Sequence, residues 1–402
     1  MPKYATNFVP ATLILLSAML ISLPATAALA GSSAEPIIPA PPQLAAEGYL
    51  LLDADTGRVL VEHNSKQRLP PASLTKIMTS YVAAEEIERG TLTEDEMVDV
   101  SVKAWKMEGS RMFIQEGTKV SVDQLLKGII IQSGNDASVA MAEHIAGGED
   151  AFADVMNQHA LRLGMTDTHF MNATGLPDED HYTTASDLAK LTIALINRHP
   201  DHYKLYSEKS FRYNEINQSN RNKLLWGDRS VDGVKTGHTE AAGYCLVASA
   251  VRDNMRLISV VMGTKSEKAR ATESQKLLSY GFRYFETVRL YDEREILNQV
   301  RIWNAETSTV SMGLGEAVVI TLPRGSKGAL SAAMDVESVI HGPISAGQEL
   351  GRLAVSMGDD IVYEGPLIAL ADIPEAGFFK SIWHSLSLFF LQLLGGDPLK
   401  IP

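Results

Sequence analysis

The stretch Pro70-Pro71-Ala72-Ser73-Leu74-Thr75-Lys76 constrains this chain more than any other. Two successive prolines lack backbone N–H groups and favour extended or helix-opening positions. Directly after them Leu74, Ile77, Met78, Tyr81 and Val82 recur at helical spacing as far as Gly90. The spacing predicts a buried helix that opens at Ser73, with Lys76 one turn on along the same face. A helix N-terminus carries free N–H donors and a partial positive charge, which suits an oxyanion formed on a carbonyl held there. A serine hydroxyl becomes a good nucleophile only if a neighbour takes its proton, and an amine does so only when neutral. Lys76 would need its pKa lowered by roughly three units from about 10.4, or about 4 kcal/mol, through burial and a second nearby cation. Taken alone, Ser-x-x-Lys equally fits a capping serine followed by a surface lysine.

Two further segments carry chemistry. Val122, Leu125, Leu126, Ile129 and Ile130 predict a helix that runs into Ile131-Gln132-Ser133-Gly134-Asn135-Asp136, and a helical Val139 to Ile145 follows. A Ser-Gly-Asn turn between apolar stretches suits a cleft wall, and also an ordinary helix-to-helix turn with a capping side chain. Farther on, Ser230 to His238 precedes two runs of strand character, Tyr244 to Ala250 and Leu257 to Gly263. Lys235 and Thr236 on a strand edge would offer a cation and a hydroxyl to an anionic group, and Gly237 would let a ligand approach the backbone. Lys235 is then the second cation that Lys76 requires. His238 lies just past this run, and Arg270 opens a helix over Thr272 to Tyr280 with a guanidinium suited to an anionic substrate end. The loop Asn172 to Tyr182 holds Asp178, Glu179 and Asp180, which read as a solvated acidic loop.

A net charge of -13 over 402 residues shows no basic stripe to meet phosphates, so a nucleic acid partner is not expected. Lys3, the apolar run Ala11 to Leu23, and the small residues of Pro24-Ala25-Thr26-Ala27 form the pattern of a secretory signal peptide over 1–27, cleaved after Ala27 or Ala30. A Pro/Ala/Ser-rich linker covers 28–44. The lone Cys245 excludes an internal disulfide and reads as a packed residue, and no spacing of His or Cys suggests a metal. Tyr49 to Asp53 and Arg58 to Glu62 flank a turn at Ala54-Asp55-Thr56-Gly57 and predict a hairpin.

Ser73-Leu74-Thr75-Lys76, Ser133-Gly134-Asn135 and Lys235-Thr236-Gly237 each occur once and in this order. Together they are far more specific than any one of them. On these motifs, with Val120 to Leu126, Lys235 to Thr239 and Ser274 to Phe285, the chain resembles the penicillin-recognising serine enzymes. Within them it resembles the low-molecular-mass penicillin-binding proteins, the serine-type D-Ala-D-Ala carboxypeptidases. The resemblance implies an α/β (α+β) transpeptidase/β-lactamase-like domain over 45–287, with helices flanking an antiparallel sheet. It implies that Ser73 is acylated, that Lys76 is its base, that Ser133 relays protons and that Asn135 holds the substrate amide. Lys235 and Thr236 would meet the terminal carboxylate, helped by Arg270, and the Ser73 and His238 N–H groups would form the oxyanion hole beside Gly237. The implied substrates are peptidoglycan stem peptides, β-lactams would acylate the same serine, and no metal or organic cofactor is implied. Class A β-lactamases share two motifs but add a Glu-x-x-Leu-Asn loop, which Pro177-Asp178-Glu179-Asp180-His181-Tyr182 does not match. A β-lactamase, or a non-catalytic β-lactam-sensing or wall-binding protein, is the alternative.

From Val288 onward short apolar runs alternate with turns, which predicts a small all-β domain over 288–372. In the segment 375–394, Phe378, Phe379, Ile382, Trp383, Leu386, Phe389, Phe390 and Leu393 fall on one broad helical face, with Ser381, His384, Ser385 and Gln392 opposite. That pattern predicts an amphipathic helix lying in a membrane interface, at the periplasmic face of the inner membrane for an exported bacterial protein. Docking of the same helix on the β module is the competing reading.

Overall fold

The Gly48–Leu52 run is apolar without alternation, and the segment Gly48–Asp53 is buried along its whole length, as a strand covered on both faces must be. In the computed structural model, which describes residues 37–401, it occupies the second position of a five-stranded antiparallel sheet. The order is Val59–His63, Gly48–Asp53, Met255–Thr264, Gly243–Arg252, Val231–Thr239. Leu50 stands opposite Val260, and Lys235 opposite Val247. Strand periodicity sends Leu50, Leu52, Ile258 and Val260 into a core shared with Ile77, Met78, Tyr81 and Leu188. It sends Tyr49, Leu51, Leu257 and Val261 into a second core against Leu277 and Leu278 of the helix Glu267–Tyr284. Helices therefore cover both faces, and the expected hairpin is the edge pair of this sheet. The signal peptide and part of the linker lie outside the described residues.

The serine of the first motif sits in a 3-10 turn, Ala72–Thr75, which feeds the helix Lys76–Glu88. The single helix expected from Val122 to Ile130 is interrupted instead. An α-helix covers Val122–Lys127, and Gly128–Gln132 then widens into a π turn that ends at Ser133 with φ 66°, ψ 37°. The extra residue per turn lets a wholly apolar segment finish on a polar side chain turned out of the core. The next helix, Asn135–Ala146, carries Asp136 in its first turn. The buried Asp136 carboxylate accepts from the N–H groups of Met112, Phe113, Ile114 and Ala137 at 2.8–3.2 Å. The last helix of this half starts earlier than the sequence predicts, at Glu267, because Ser266 caps it through the Ala269 N–H.

Phe285–Tyr291 crosses out of this half and pairs with Val318–Pro323. A second antiparallel sheet follows, in the order Asn298–Arg301, Thr309–Gly313, Asp360–Ala369, Glu349–Met357, Leu330–Val336. The two halves meet at fully buried Asp53, whose carboxylate accepts from Thr287 Oγ1 at 2.5 Å and Thr321 Oγ1 at 2.7 Å. The segment after Pro374 is a helix, Phe378–Leu393. Among the described residues no helix is long and apolar enough to cross a membrane.

Replacing Asp136 with Asn keeps the shape of the side chain but removes the charge and one acceptor oxygen. The expected cost is about 2–4 kcal/mol, since bonds to a charged group are each worth roughly 1.5–3 kcal/mol. Urea denaturation checks it; a midpoint equal to that of the parent protein would mean the carboxylate does not pin the 112–114 segment.

Candidate active site

Three layers of the fold converge on Ser73. The 3-10 turn presents its hydroxyl, the Ser133–Asn135 turn stands across from it, and the edge strand Val231–Thr239 closes the third side. A Cβ on Gly237 would lie 3.0 Å from the Pro71 carbonyl oxygen and 3.2 Å from Ala72 Cβ. Only glycine lets the strand run this close to the turn. The cavity so formed, about 160 Å³, is lined by Ser73, Ser110, Ser133, Arg221, Thr236, Gly237, His238, Tyr244, Glu267 and Arg270.

Lys76 is 1% exposed, and its Nζ is 3.1 Å from Ser73 Oγ, 2.7 Å from Asn135 Oδ1 and 2.5 Å from the Thr174 carbonyl oxygen. A neutral amine has two N–H donors and one lone pair. With the donors on Asn135 and Thr174, the lone pair is left for the Ser73 hydroxyl. Burial, with a smaller contribution from Arg221, brings the Lys76 pKa down to about 7 against the opposing pull of Asp136 and Glu149. The amine therefore changes charge in the range where a general base is useful. Beside Lys235, whose amine and that of Lys76 repel each other, Arg221 is a further cation near Lys76, and no motif marks it.

Lys235 and Thr236 are buried, at 2% and 4% exposure, rather than facing solvent on the strand edge. Thr236 reaches the cavity surface, whereas Lys235 Nζ lies behind it and donates to the Thr236 carbonyl at 3.1 Å. Burial first, then Lys76, Arg221 and Arg270, push the Lys235 pKa well below the lysine range. Arg270 donates to the Gly237 carbonyl at 3.0 Å and its guanidinium lies 5.6 Å from the Tyr244 ring centroid. His238 stacks on the same ring at 3.9 Å. Arg221 and Arg270 thus make one end of the cavity cationic, and an anion held there favours the charged form of Lys235.

Ser133 Oγ is buried without a hydrogen-bond partner and lines the cavity. Its left-handed backbone costs a non-glycine residue roughly 1–3 kcal/mol, a strain typical of positions that must aim a side chain. Asn135 is committed at both ends, accepting from Lys76 and donating from Nδ2 to the Glu108 carbonyl at 2.7 Å. The sequence reading had it facing substrate; the structure adds the task of holding Lys76.

The loop after Asn172 contributes backbone rather than carboxylates to the Ser73–Lys76 pair. Thr174 supplies its carbonyl, and buried His181 bonds Thr75 Oγ1 through Nε2 at 2.9 Å. Burial lowers the His181 pKa to about 4, so its ring is neutral. Asp178, Glu179 and Asp180 are exposed, as the sequence pattern predicts. Gly175 has φ +82°, and a Cβ there would fall 1.8 Å from the Ala72 carbonyl oxygen. On the far side of Ala72 a larger cleft, about 560 Å³, runs between Leu69–Ala72, the 175–182 loop and Thr239.

A family profile described as D-alanyl-D-alanine carboxypeptidase matches residues 35–266, and one described as the C-terminal domain of penicillin-binding protein 5 matches 285–375. The chain is 42% identical to the D-alanyl-D-alanine carboxypeptidase DacA of Escherichia coli K12, over 89% of this chain and 91% of that protein. It is 35% identical to DacF of Bacillus subtilis, over 85% and 89%. Penicillin-binding protein 5 of Haemophilus influenzae superposes with a TM-score of 0.79 at 39% identity, covering 84% of this chain and all of that one. Penicillin-binding protein D2 of Listeria monocytogenes in its ampicillin-bound form gives 0.56 at 29%, covering 61% of this chain and all of that one.

Three outcomes follow from the geometry. The rate of Ser73 acylation by a β-lactam should fall about tenfold per pH unit below about 7, because only neutral Lys76 accepts the proton. Arg221→Gln removes a cation that lowers the Lys76 pKa, so the acid limb should move to higher pH, on the order of half a unit; stopped-flow acylation across pH 5–9 measures both. Gly175→Ala should cut acylation at least about 100-fold by driving the Thr174 carbonyl off Lys76, misplacements near 1 Å having effects of that size. Unchanged acylation would show that this carbonyl does not set the amine.

Proposed function

The chain belongs to the D-alanyl-D-alanine carboxypeptidase family and is a serine carboxypeptidase that binds β-lactams, and from that premise we propose how its residues divide the work. The Lys76 amine takes the Ser73 proton as Ser73 Oγ attacks the penultimate carbonyl of a stem peptide. The observation that carries this is the amine held by Asn135 and Thr174 with its remaining valence on Ser73. The backbone N–H groups of Ser73 and His238 meet the oxyanion. Ser133, whose hydroxyl lacks a partner and faces the cavity, passes the proton to the departing D-alanine amine. Thr236, Arg221 and Arg270 hold the terminal carboxylate, and buried Lys235 adds its field from below. The acyl half of the peptide lies beyond Ala72 in the larger cleft.

Water then hydrolyses the acyl-enzyme. With a β-lactam in place of the peptide the same serine is acylated, and the absence of a loop carboxylate bonded to Ser73 or Lys76 among the described residues favours a persistent adduct. We propose the division 1–27, 28–44, 45–287, 288–372 and 375–394 as signal peptide, linker, peptidase domain, β domain and anchor helix. The anchor reading rests on a helix whose exposed face carries Phe378, Phe379, Trp383, Phe389 and Phe390. Such a face partitions into the headgroup region of a bilayer, which puts the enzyme at the periplasmic side of the inner membrane.

Ser73→Ala should abolish D-alanine release from a peptide ending in D-Ala-D-Ala and penicillin labelling together. Intact-mass spectrometry of the parent protein after brief penicillin exposure should show a lasting adduct on Ser73. Labelling that survives in Ser73→Ala would move the nucleophile elsewhere, and rapid loss of the adduct without D-alanine release would make the protein a β-lactamase.

A further inference from the structure

The Phe378–Leu393 helix turns its aromatic side outward. Ser381, His384, Ser387, Leu388 and Leu391 are its less exposed positions, at helical spacing, while Phe379 is 86% and Trp383 70% exposed. A soluble helix packs the other way round. What holds it is a set of bonds to the β half along its whole length. At the near end the Glu306 N–H donates to the Pro374 carbonyl, the Ala376 N–H to the Asn304 carbonyl, and Lys380 Nζ to the Glu306 carbonyl, at 2.6–3.0 Å. In the middle the Asn304 N–H donates to His384 Nδ1 at 3.0 Å, and the His384 ring meets buried Trp303 edge-on at 5.9 Å.

The far end is the unexpected part. After Leu394 the chain reverses through Gly395, at φ +70°, and the Gly396 N–H caps the Leu391 carbonyl at 2.9 Å. The tail then returns to the strand Asn298–Arg301. The Arg301 N–H donates to the Leu399 carbonyl at 3.0 Å, and Trp303 Nε1 donates to the Pro398 carbonyl at 3.0 Å. The Leu399 side chain packs against the cluster of Val300, Ile302 and Val310. Trp303 thus touches both the middle of the helix and the tail behind it, with Arg301 over its ring at 3.9 Å.

We propose that residues 397–400 are a clasp that keeps the helix folded and fixed on the β half before any lipid is met, so that the aromatic face is offered as a preformed plate. An isolated helix of this length is marginal in water and an interfacial segment ordinarily orders as it binds. The clasp removes that ordering cost from the binding step and sets the direction in which the plate faces. Because the β half is joined to the peptidase half through buried Asp53, the direction of the plate also sets where the active site stands. The proposal rests on the reading of this face as lipid-binding, but the clasp itself is testable without lipid.

The test is amide hydrogen exchange of residues 380–394 in the full-length protein in detergent-free buffer. Binding to vesicles of phosphatidylethanolamine and phosphatidylglycerol is then followed by Trp fluorescence and far-UV circular dichroism. Leu399→Asp is the clasp variant, and Ile401→Asp, at an exposed position of the same tail, is the control; D-alanine release from a soluble peptide verifies folding of both. In the parent and in Ile401→Asp the helix amides should be protected and helicity unchanged on binding. In Leu399→Asp protection should drop by at least about tenfold, helicity should rise on binding, and partition should weaken about five- to tenfold. Unprotected helix amides in the parent, or a Leu399→Asp profile equal to the parent's, would overturn the clasp. A clasp confirmed by exchange in a protein that ignores vesicles would instead overturn the lipid reading of the face.

Discussion

A lysine amine taken out of water at the start of a helix is the constraint on which the rest of this active site depends. Burial penalises the charged form of Lys76, and its oxygen partners decide what the neutral form does. Each partner comes from a different part of the chain: Ser73 from the same turn, Asn135 from the start of the helix Asn135–Ala146, Thr174 from the loop that follows the helix Glu149–Arg162. Moving any one of them changes both the position of the amine and its basicity. The need to bring them together accounts for Gly175 against the Ala72 carbonyl, and for Asp136 fastening the 112–114 segment beside Asn135.

The opposite end of the cavity follows from the same electrostatics. Burial first, and then repulsion from Lys76, Arg221 and Arg270, hold the Lys235 pKa well below its usual range. A carboxylate placed among these groups relieves that repulsion, so the site favours an anion. A substrate with a free terminal carboxylate then gains a term that an amidated one lacks. In the proposed mechanism the charge of Lys235 is exerted through the strand rather than by contact, and the hydroxyl of Thr236 makes the direct bond.

The β half and the terminal helix obey a different logic. The helix sets Ser381, His384 and Leu388 against the protein and leaves its aromatic residues outside, a distribution that is unfavourable in water and favourable at a lipid surface. His384 serves as an acceptor for the Asn304 N–H, and burial with Lys380 and Arg301 nearby lowers its pKa, which keeps the accepting nitrogen free of a proton. The joint at Asp53, where two threonine hydroxyls satisfy a buried carboxylate, ties this half to the peptidase sheet. Fixed contacts therefore join the helix to the β half and the β half to the peptidase sheet.

Much of this was written in the chain by local rules. The periodicity after Pro70-Pro71, the unbroken apolar run Gly48–Leu52, the turn-separated runs after Val288 and the aromatic stripe of the last helix are patterns of neighbours, and they identify the elements before any contact is known. The three motifs likewise named Ser73, Lys76, Ser133, Asn135, Lys235 and Thr236 from identity and spacing. Partnerships between distant segments carry no such period. That Arg221 adds its charge near Lys76, that Thr174 offers its carbonyl, that the Val122 helix breaks into a π turn, and that Leu399 returns to Val300 all depend on which surfaces meet when the layers close. A backbone carbonyl has no residue type to announce it, and a lone arginine has no spacing. Sequence alone determined the elements and the reactive groups; tertiary packing decided which charges face each other, how far each is from water, and hence what each group does.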